Sequence, residues 1–197
     1  MNTINKTNFD ETNNETNDEK LKWKKTREEL LLKTPVCDIF TQHEVSPLGI
    51  EGDYISMKAK DWIMVIPEIN GNFVLVKQWR HSEQRLTIEF PGGVSNAGEK
   101  PEQAALRELE EETGFKVGKL TKLGTISPNP ALFENHVHIF LAEDLVQTNV
   151  QHLDDDEVLS CFQLPIQEVI DSYGNSEYTH ALMGCALAFY MRKKYCN

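Results

Sequence analysis

No apolar run in this chain approaches the ~20 residues that a membrane-crossing helix needs. Basic residues are also short: 20 Lys plus Arg stand against 31 Asp plus Glu, a formal net charge of −11. A general nucleic-acid or membrane-surface binder needs a positive field, so the balance argues against both partners. It suits a chain that spends carboxylates on a divalent metal. Cysteine is sparse, and Cys37, Cys161, Cys185 and Cys196 show no CxxC pairing. The expectation is free thiols in a reducing, cytoplasmic setting. Residues 2–20 carry Ile4 and Phe9 as their only apolar members. They are read as a disordered acidic tail rather than a secretory signal. What remains is ordinary for a globular domain: 197 residues, 40% hydrophobic and 26% charged, enough for one core with a small appendage.

Three segments are expected: the tail 1–20, a β-rich extension over 21–60, and a main domain over 61–197. Residues 21–33 mix charges with Trp23 and Leu30–Leu32 and fit either a short helix or an irregular strand. Strands are expected at 36–45 and 53–58, which makes a hairpin-like unit. The run Trp62–Ile66 has the continuous apolar pattern of a buried strand. The Asn70-Gly71 pair signals a tight hairpin into 73–79. Further strands are expected at 86–90, 120–126, 136–142 and 158–163. Helices are expected at 102–113, 165–173 and 179–193, the first opened by Pro101 and stopped by Gly114. Elements interleave without a strict βαβ repeat, so the class is α+β, a mixed sheet held between helices in an α-β-α sandwich.

The informative segment is Gly93, Glu99, Arg107-Glu108-Leu109, Glu111-Glu112, Gly114-Phe115. On a 3.6-residue helix, Glu111 and Glu112 lie about −60° and +40° from Glu108, so three carboxylates crowd an arc of about 100°. Like charges at that spacing oppose the helix. A hard divalent cation with oxygen ligands offsets the repulsion, and Mg²⁺ (or Mn²⁺) suits such a set. Glu110 falls on the opposite side. Ala104 and Ala105, one turn back, are read as leaving room for a bulky anion.

The spacing G-x5-E-x7-R-E-U-x-E-E-x-G-U, with U apolar, resembles the Nudix box at every fixed position. Flanking runs extend the resemblance: Gln78-Trp79-Arg80-His81, then Glu89-Phe90-Pro91-Gly92-Gly93, then Ser127-Pro128-Asn129-Pro130. They are similar to the ADP-ribose and nucleotide-sugar pyrophosphatase branch, and the similarity covers roughly residues 36–190. The resemblance implies a Nudix fold and metal-dependent hydrolysis of the pyrophosphate bond in ADP-ribose or a related nucleoside diphosphate sugar. The products implied are a nucleoside monophosphate and a sugar phosphate. It implies a metal set of Glu108, Glu111 and Glu112, the Gly92 carbonyl, and Glu99 through water or by orienting the loop. Arg107 would sit off the metal face and hold a carboxylate in place, acting with Glu111 and Glu157 in catalysis. The general base is sought in a later loop, with Glu157 first and Asp156 second. Arg80 would contact the diphosphate. Trp79 stacks on a base or fills the core, and Glu134 reads a ribose hydroxyl or is a plain loop acid. His136 and His138, two apart, lack other zinc ligands at a suitable spacing. A homodimer through residues 36–58 is implied as well. Other substrates stay open: a dinucleoside polyphosphate, coenzyme A or an RNA 5′ end. A non-catalytic nucleotide sensor is a further alternative, and the complete set of box acids counts against it.

Overall fold

The computed structural model describes residues 18–148, 151–153 and 157–196. The expectations for residues 1–17 and for Asp154, Asp155 and Asp156 therefore lie outside the described residues. The chain divides into two compact units, 1–59 with 131–134 and 60–130 with 135–197.

The first unit is an antiparallel three-stranded sheet in the order β1 (Lys24–Lys33), β2 (Cys37–Val45), β3 (Glu51–Ala59). The 21–33 ambiguity resolves as strand. Thr41 pairs with Glu29 on one side and Ile55 on the other, so the segment gains a ladder that an isolated helix of its length would lack. Among its described residues only Ser46 and Ser56 are buried, and both are polar. This sheet has no apolar core of its own.

The second unit is a mixed sheet with three helices. Its strands are β4 (Trp62–Ile69), β5 (Asn72–Arg80), β6 (Arg85–Glu89), β7 (Phe115–Ile126), β8 (Val137–Gln147) and β9 (Leu159–Pro165). The path runs β6-β5-β4-β8-β7, with β9 on the other edge of β5. Among the described strands of this unit only the β4–β8 pair is parallel. Strand β8 runs five residues beyond its expected end because Glu143–Gln147 continue to pair with β7. Asn70 and Gly71 both take positive φ, 50° and 79°, as a tight hairpin between β4 and β5 demands.

Side-chain alternation on the central strands assigns the two faces. Ile63 and Val65 of β4, with Phe140 and Ala142 of β8, meet Ala104, Ala105 and Leu109 of helix α1 (Pro101–Thr113). Met64 and Ile66, with Ile139 and Leu141, face the other way. They pack on Val169 of α2 (Ile166–Ser172) and on Met183, Ala186, Leu187 and Tyr190 of α3 (Ala181–Tyr195). A strand covered on both faces must be apolar at every position, and this is why Trp62–Ile66 reads as an unbroken run. Ala104 and Ala105 correct one expectation: both are fully buried on the sheet, where small side chains let the helix approach, and they border no ligand space.

Candidate active site

Helix α1 delivers the acids. Pro101 starts it, and Gly114 at φ 69° ends it with its N–H on the Glu110 carbonyl. Between these stops Leu109 packs inward, which turns Glu108 and Glu112 toward the strand end at Gly92–Gly93. There Ile63 N–H takes the Gly93 carbonyl and Val65 N–H the Pro91 carbonyl. Alternation turns the intervening Gly92 N–H to the helix, and it donates to Glu112 Oε2 at 2.9 Å. The glycines are required by space. A Cβ on Gly93 would stand 2.5 Å from Glu108 Oε2, and one on Gly92 would stand 2.1 Å from the Ile63 carbonyl.

Arg107 threads the acids together. Its Nε and Nη2 hold Glu99 at 3.0 and 2.9 Å, and its Nη1 bridges Glu108 Oε1 at 2.8 Å and Glu111 Oε2 at 2.9 Å. Nη2 also reaches the Val94 carbonyl at 3.2 Å. The fork thus reaches three carboxylates at once, and one cation between acids relieves their repulsion. The guanidinium, with Asn96 N–H, holds Glu99 down to about pKa 2. Burial pushes Glu112 up to about 8, and the charges of Glu108 and Glu157 push the same way against the Gly92 N–H. Burial raises Glu108 too, against Arg107. Added positive charge favours the ionised form of such buried carboxylates, and an oxygen-only donor set fits a hard divalent cation. Among the described residues no three His, Cys, Asp or Glu side chains converge into a finished metal cage, and Arg107 and the Gly92 N–H engage one oxygen of each of these carboxylates.

Comparisons with known proteins bear on this arrangement. The model of the NUDIX domain matches residues 57–182. The ADP-ribose pyrophosphatase of Bacillus subtilis is 30% identical over 176 residues, 88% of this chain and 95% of that protein. The ADP compounds hydrolase NudE of Escherichia coli is 26% identical over 135 residues, 68% of this chain and 72% of that protein. A crystal structure of an ADP compounds hydrolase superposes with a TM-score of 0.78 at 21% identity, over 88% of this chain and 96% of that one, and this likeness supports the fold. The chain belongs to the Nudix hydrolase family.

The Nudix box thus brings together Gly93, Glu99, Arg107, Glu108, Glu111 and Glu112, with Gly92 immediately ahead of it. Glu157 is exposed just ahead of β9, and its charge is felt by Glu108 and Glu112. The chain before it is fastened to the open end of α1. Thr148 N–H bonds the Gly114 carbonyl at 2.7 Å, Gln151 Nε2 the Glu112 carbonyl at 2.5 Å, and His152 N–H the Glu111 carbonyl at 3.0 Å. Arg80 lines the cavity that holds Gly92 and Gly93 and forks onto Glu89, Nε to Oε1 at 2.8 Å and Nη2 to Oε2 at 2.5 Å. Trp79 is 44% exposed, so it does not fill the core. Glu134 folds with the first unit, where Ser56 Oγ and Gln42 Nε2 hold its Oε1 at 2.6 and 2.8 Å. His138 is engaged between Asp61 Oδ2 at 2.9 Å and Thr125 Oγ1 at 3.1 Å.

Sequence reasoning missed Glu89, His180 and Gln151. Thr87 and Glu89 share one face of β6, so their juxtaposition was readable once that strand was assigned. His180 and Gln151 reach their places through tertiary contacts that no local spacing announces.

Proposed function

We propose that this Nudix hydrolase cleaves the pyrophosphate bond of ADP-ribose or a closely related nucleoside diphosphate sugar, giving a nucleoside monophosphate and a sugar phosphate. The observation that carries the reading is the buried Glu108–Glu112 pair against Gly92–Gly93, with Arg80 lining the adjoining cavity. The B. subtilis ADP-ribose pyrophosphatase and the E. coli ADP compounds hydrolase point to ADP-linked substrates. Glu108, Glu111, Glu112 and the Gly92 carbonyl would hold Mg²⁺ or Mn²⁺, which supplies charge neutralisation on phosphoryl oxygens and activation of water. Arg107 holds Glu108 and Glu111 in register and keeps Glu99 ionised. Arg80, with two of its five N–H donors on Glu89, offers the rest of its fork to the diphosphate. Glu157 takes the proton from the attacking water. The free cysteines suit a cytoplasmic protein, and the coreless first unit suits a homodimer.

A panel of ADP-ribose, ADP-glucose, GDP-mannose and diadenosine polyphosphates with Mg²⁺ tests the reading. ADP-ribose should give AMP and ribose 5-phosphate by chromatography. A preference of more than about tenfold in kcat/KM for a dinucleoside polyphosphate would overturn it.

A further inference from the structure

Glu89 is 1% exposed, an unusual place for a carboxylate. Arg80 and Thr87 occupy its oxygens, with Thr87 Oγ1 2.5 Å from Oε1. Beside it stands His180, whose Nδ1 lies 3.4 Å from Glu89 Oε2. That nitrogen is buried and, among the described residues, makes no hydrogen bond of good geometry. Arg80, Glu89 and His180 separate two cavities of ≈ 240 and ≈ 360 Å³, and each of them lines both. The smaller cavity runs from Gly92 and Gly93 past Trp62, Phe90 and Leu182, so it joins these glycines to an apolar wall with one polar corner.

His180 is firmly placed. Ile88 N–H bonds the Glu177 carbonyl at 2.9 Å, Lys77 Nζ pairs with Glu177 at 2.8 Å, and Arg85 bonds Thr179 Oγ1. Met183 N–H closes the turn on the His180 carbonyl at 3.0 Å. Burial lowers the imidazole pKa below its ordinary value, with Arg80 acting the same way against Glu89 and Glu83. The ring is therefore neutral at neutral pH. Glu89 Oε2 at 3.4 Å is the acceptor facing Nδ1, and it favours the tautomer that carries its proton there and its lone pair on Nε2.

We infer that His180 is a specificity-determining residue, its Nε2 accepting a hydrogen bond from a hydroxyl of the sugar on the far side of the diphosphate. The inference rests on the function proposed above and names the group that reads the second half of that substrate. A hydroxyl suits the corner better than an amine. It can donate to the imidazole while accepting from the Arg80 guanidinium, which is donor-only, whereas an exocyclic amine would meet those N–H groups donor to donor. The apolar wall fits the C–H face of a sugar ring.

The test is calorimetric titration of ADP-ribose and of ADP in EDTA, with ADP-ribose hydrolysis in Mg²⁺ run alongside. His180→Phe, which keeps a ring but no nitrogen, and His180→Asn, which keeps a polar atom only at the δ position, should weaken ADP-ribose about fivefold or more. ADP should bind within about twofold of wild type. His180→Gln, with an acceptor near the ε position, should restore most of the ADP-ribose affinity. Should His180→Phe fail to fold, the Gln-against-Asn comparison decides alone. Equal ADP-ribose affinity across the set, or an equal loss for ADP, overturns the inference while the pyrophosphatase reading stands. A wild-type protein that neither binds nor hydrolyses ADP-ribose overturns both.

Discussion

Glu112 is 2% exposed, and burial pushes its carboxyl up to about 8, against an ordinary value of 4.5. A carboxyl raised in the folded state contributes stability that is complete below about pH 4.5 and is lost as pH climbs toward 8. Glu99, held near 2, works in the opposite sense, but its window lies below pH 4.5. In EDTA, Glu112→Gln should therefore gain melting temperature relative to wild type as pH rises from 5 to 8. A scanning-fluorimetry difference that stays flat across that range would contradict the burial argument. Because a metal must displace that proton, apparent Mg²⁺ affinity should rise over the same interval in wild type. In turnover, Glu108→Gln and Glu112→Gln should each lower kcat at least ~100-fold with the fold intact by circular dichroism. Glu157→Gln should lower kcat and kcat/KM together, with Mg²⁺ affinity kept. An unchanged pH–rate profile in that variant would remove Glu157 as the base. The carboxylates were legible because their helical spacing is local. The Arg107 clasp was only half legible: sequence placed the residue beside the acids, yet which oxygens its fork takes depends on the fold of the Val94–Glu99 loop.

Helix α1 is the element on which the site depends, and two changes separate its packing from its chemistry. Leu109 is fully buried between β4 and β8, so Leu109→Ala should cost about 2–5 kcal/mol in urea denaturation. Turnover of the folded fraction should stay near wild type. Gly93→Ala should do the reverse. Its added Cβ meets the Glu108 carboxylate, the far end of a flexible side chain, so stability should fall little while kcat drops at least tenfold as Glu108 is displaced. A kcat for Gly93→Ala within twofold of wild type would mean that Glu108 need not hold its position. Most elements of this unit were readable from period, turn residues and caps. The exceptions share one cause. The extension of β8 over Glu143–Gln147 and the burial of Ala104 and Ala105 are set by a neighbouring strand or sheet, which outweighs local composition.

At the scale of the whole molecule, the first unit poses a physical problem. All ten residues of β1 are exposed, with Leu30, Leu31 and Leu32 at 49%, 54% and 54%, and no apolar residue described in the unit is buried. A three-stranded sheet needs a covered face to persist in water. Its own support is thin: the edge-on pair of Trp23 and Tyr54 at 5.7 Å, Lys58 above the Phe40 ring at 4.2 Å, and the exposed ion pairs of Glu28 with Lys25 and Lys58. Exposed ion pairs contribute about 0–1 kcal/mol each. A second copy covering this sheet would supply the missing burial, and a two-fold arrangement would pair like surface with like. Sedimentation at micromolar concentration should give a dimer of the 22.5 kDa chain. Leu30→Asp with Leu32→Asp should shift it toward monomer, since each introduced carboxylate would have to be desolvated against its own copy. A wild-type protein that sediments as a single monomeric species would show that the sheet persists without a covering chain. Its stability would then have to come from within the strands, against the burial pattern they display.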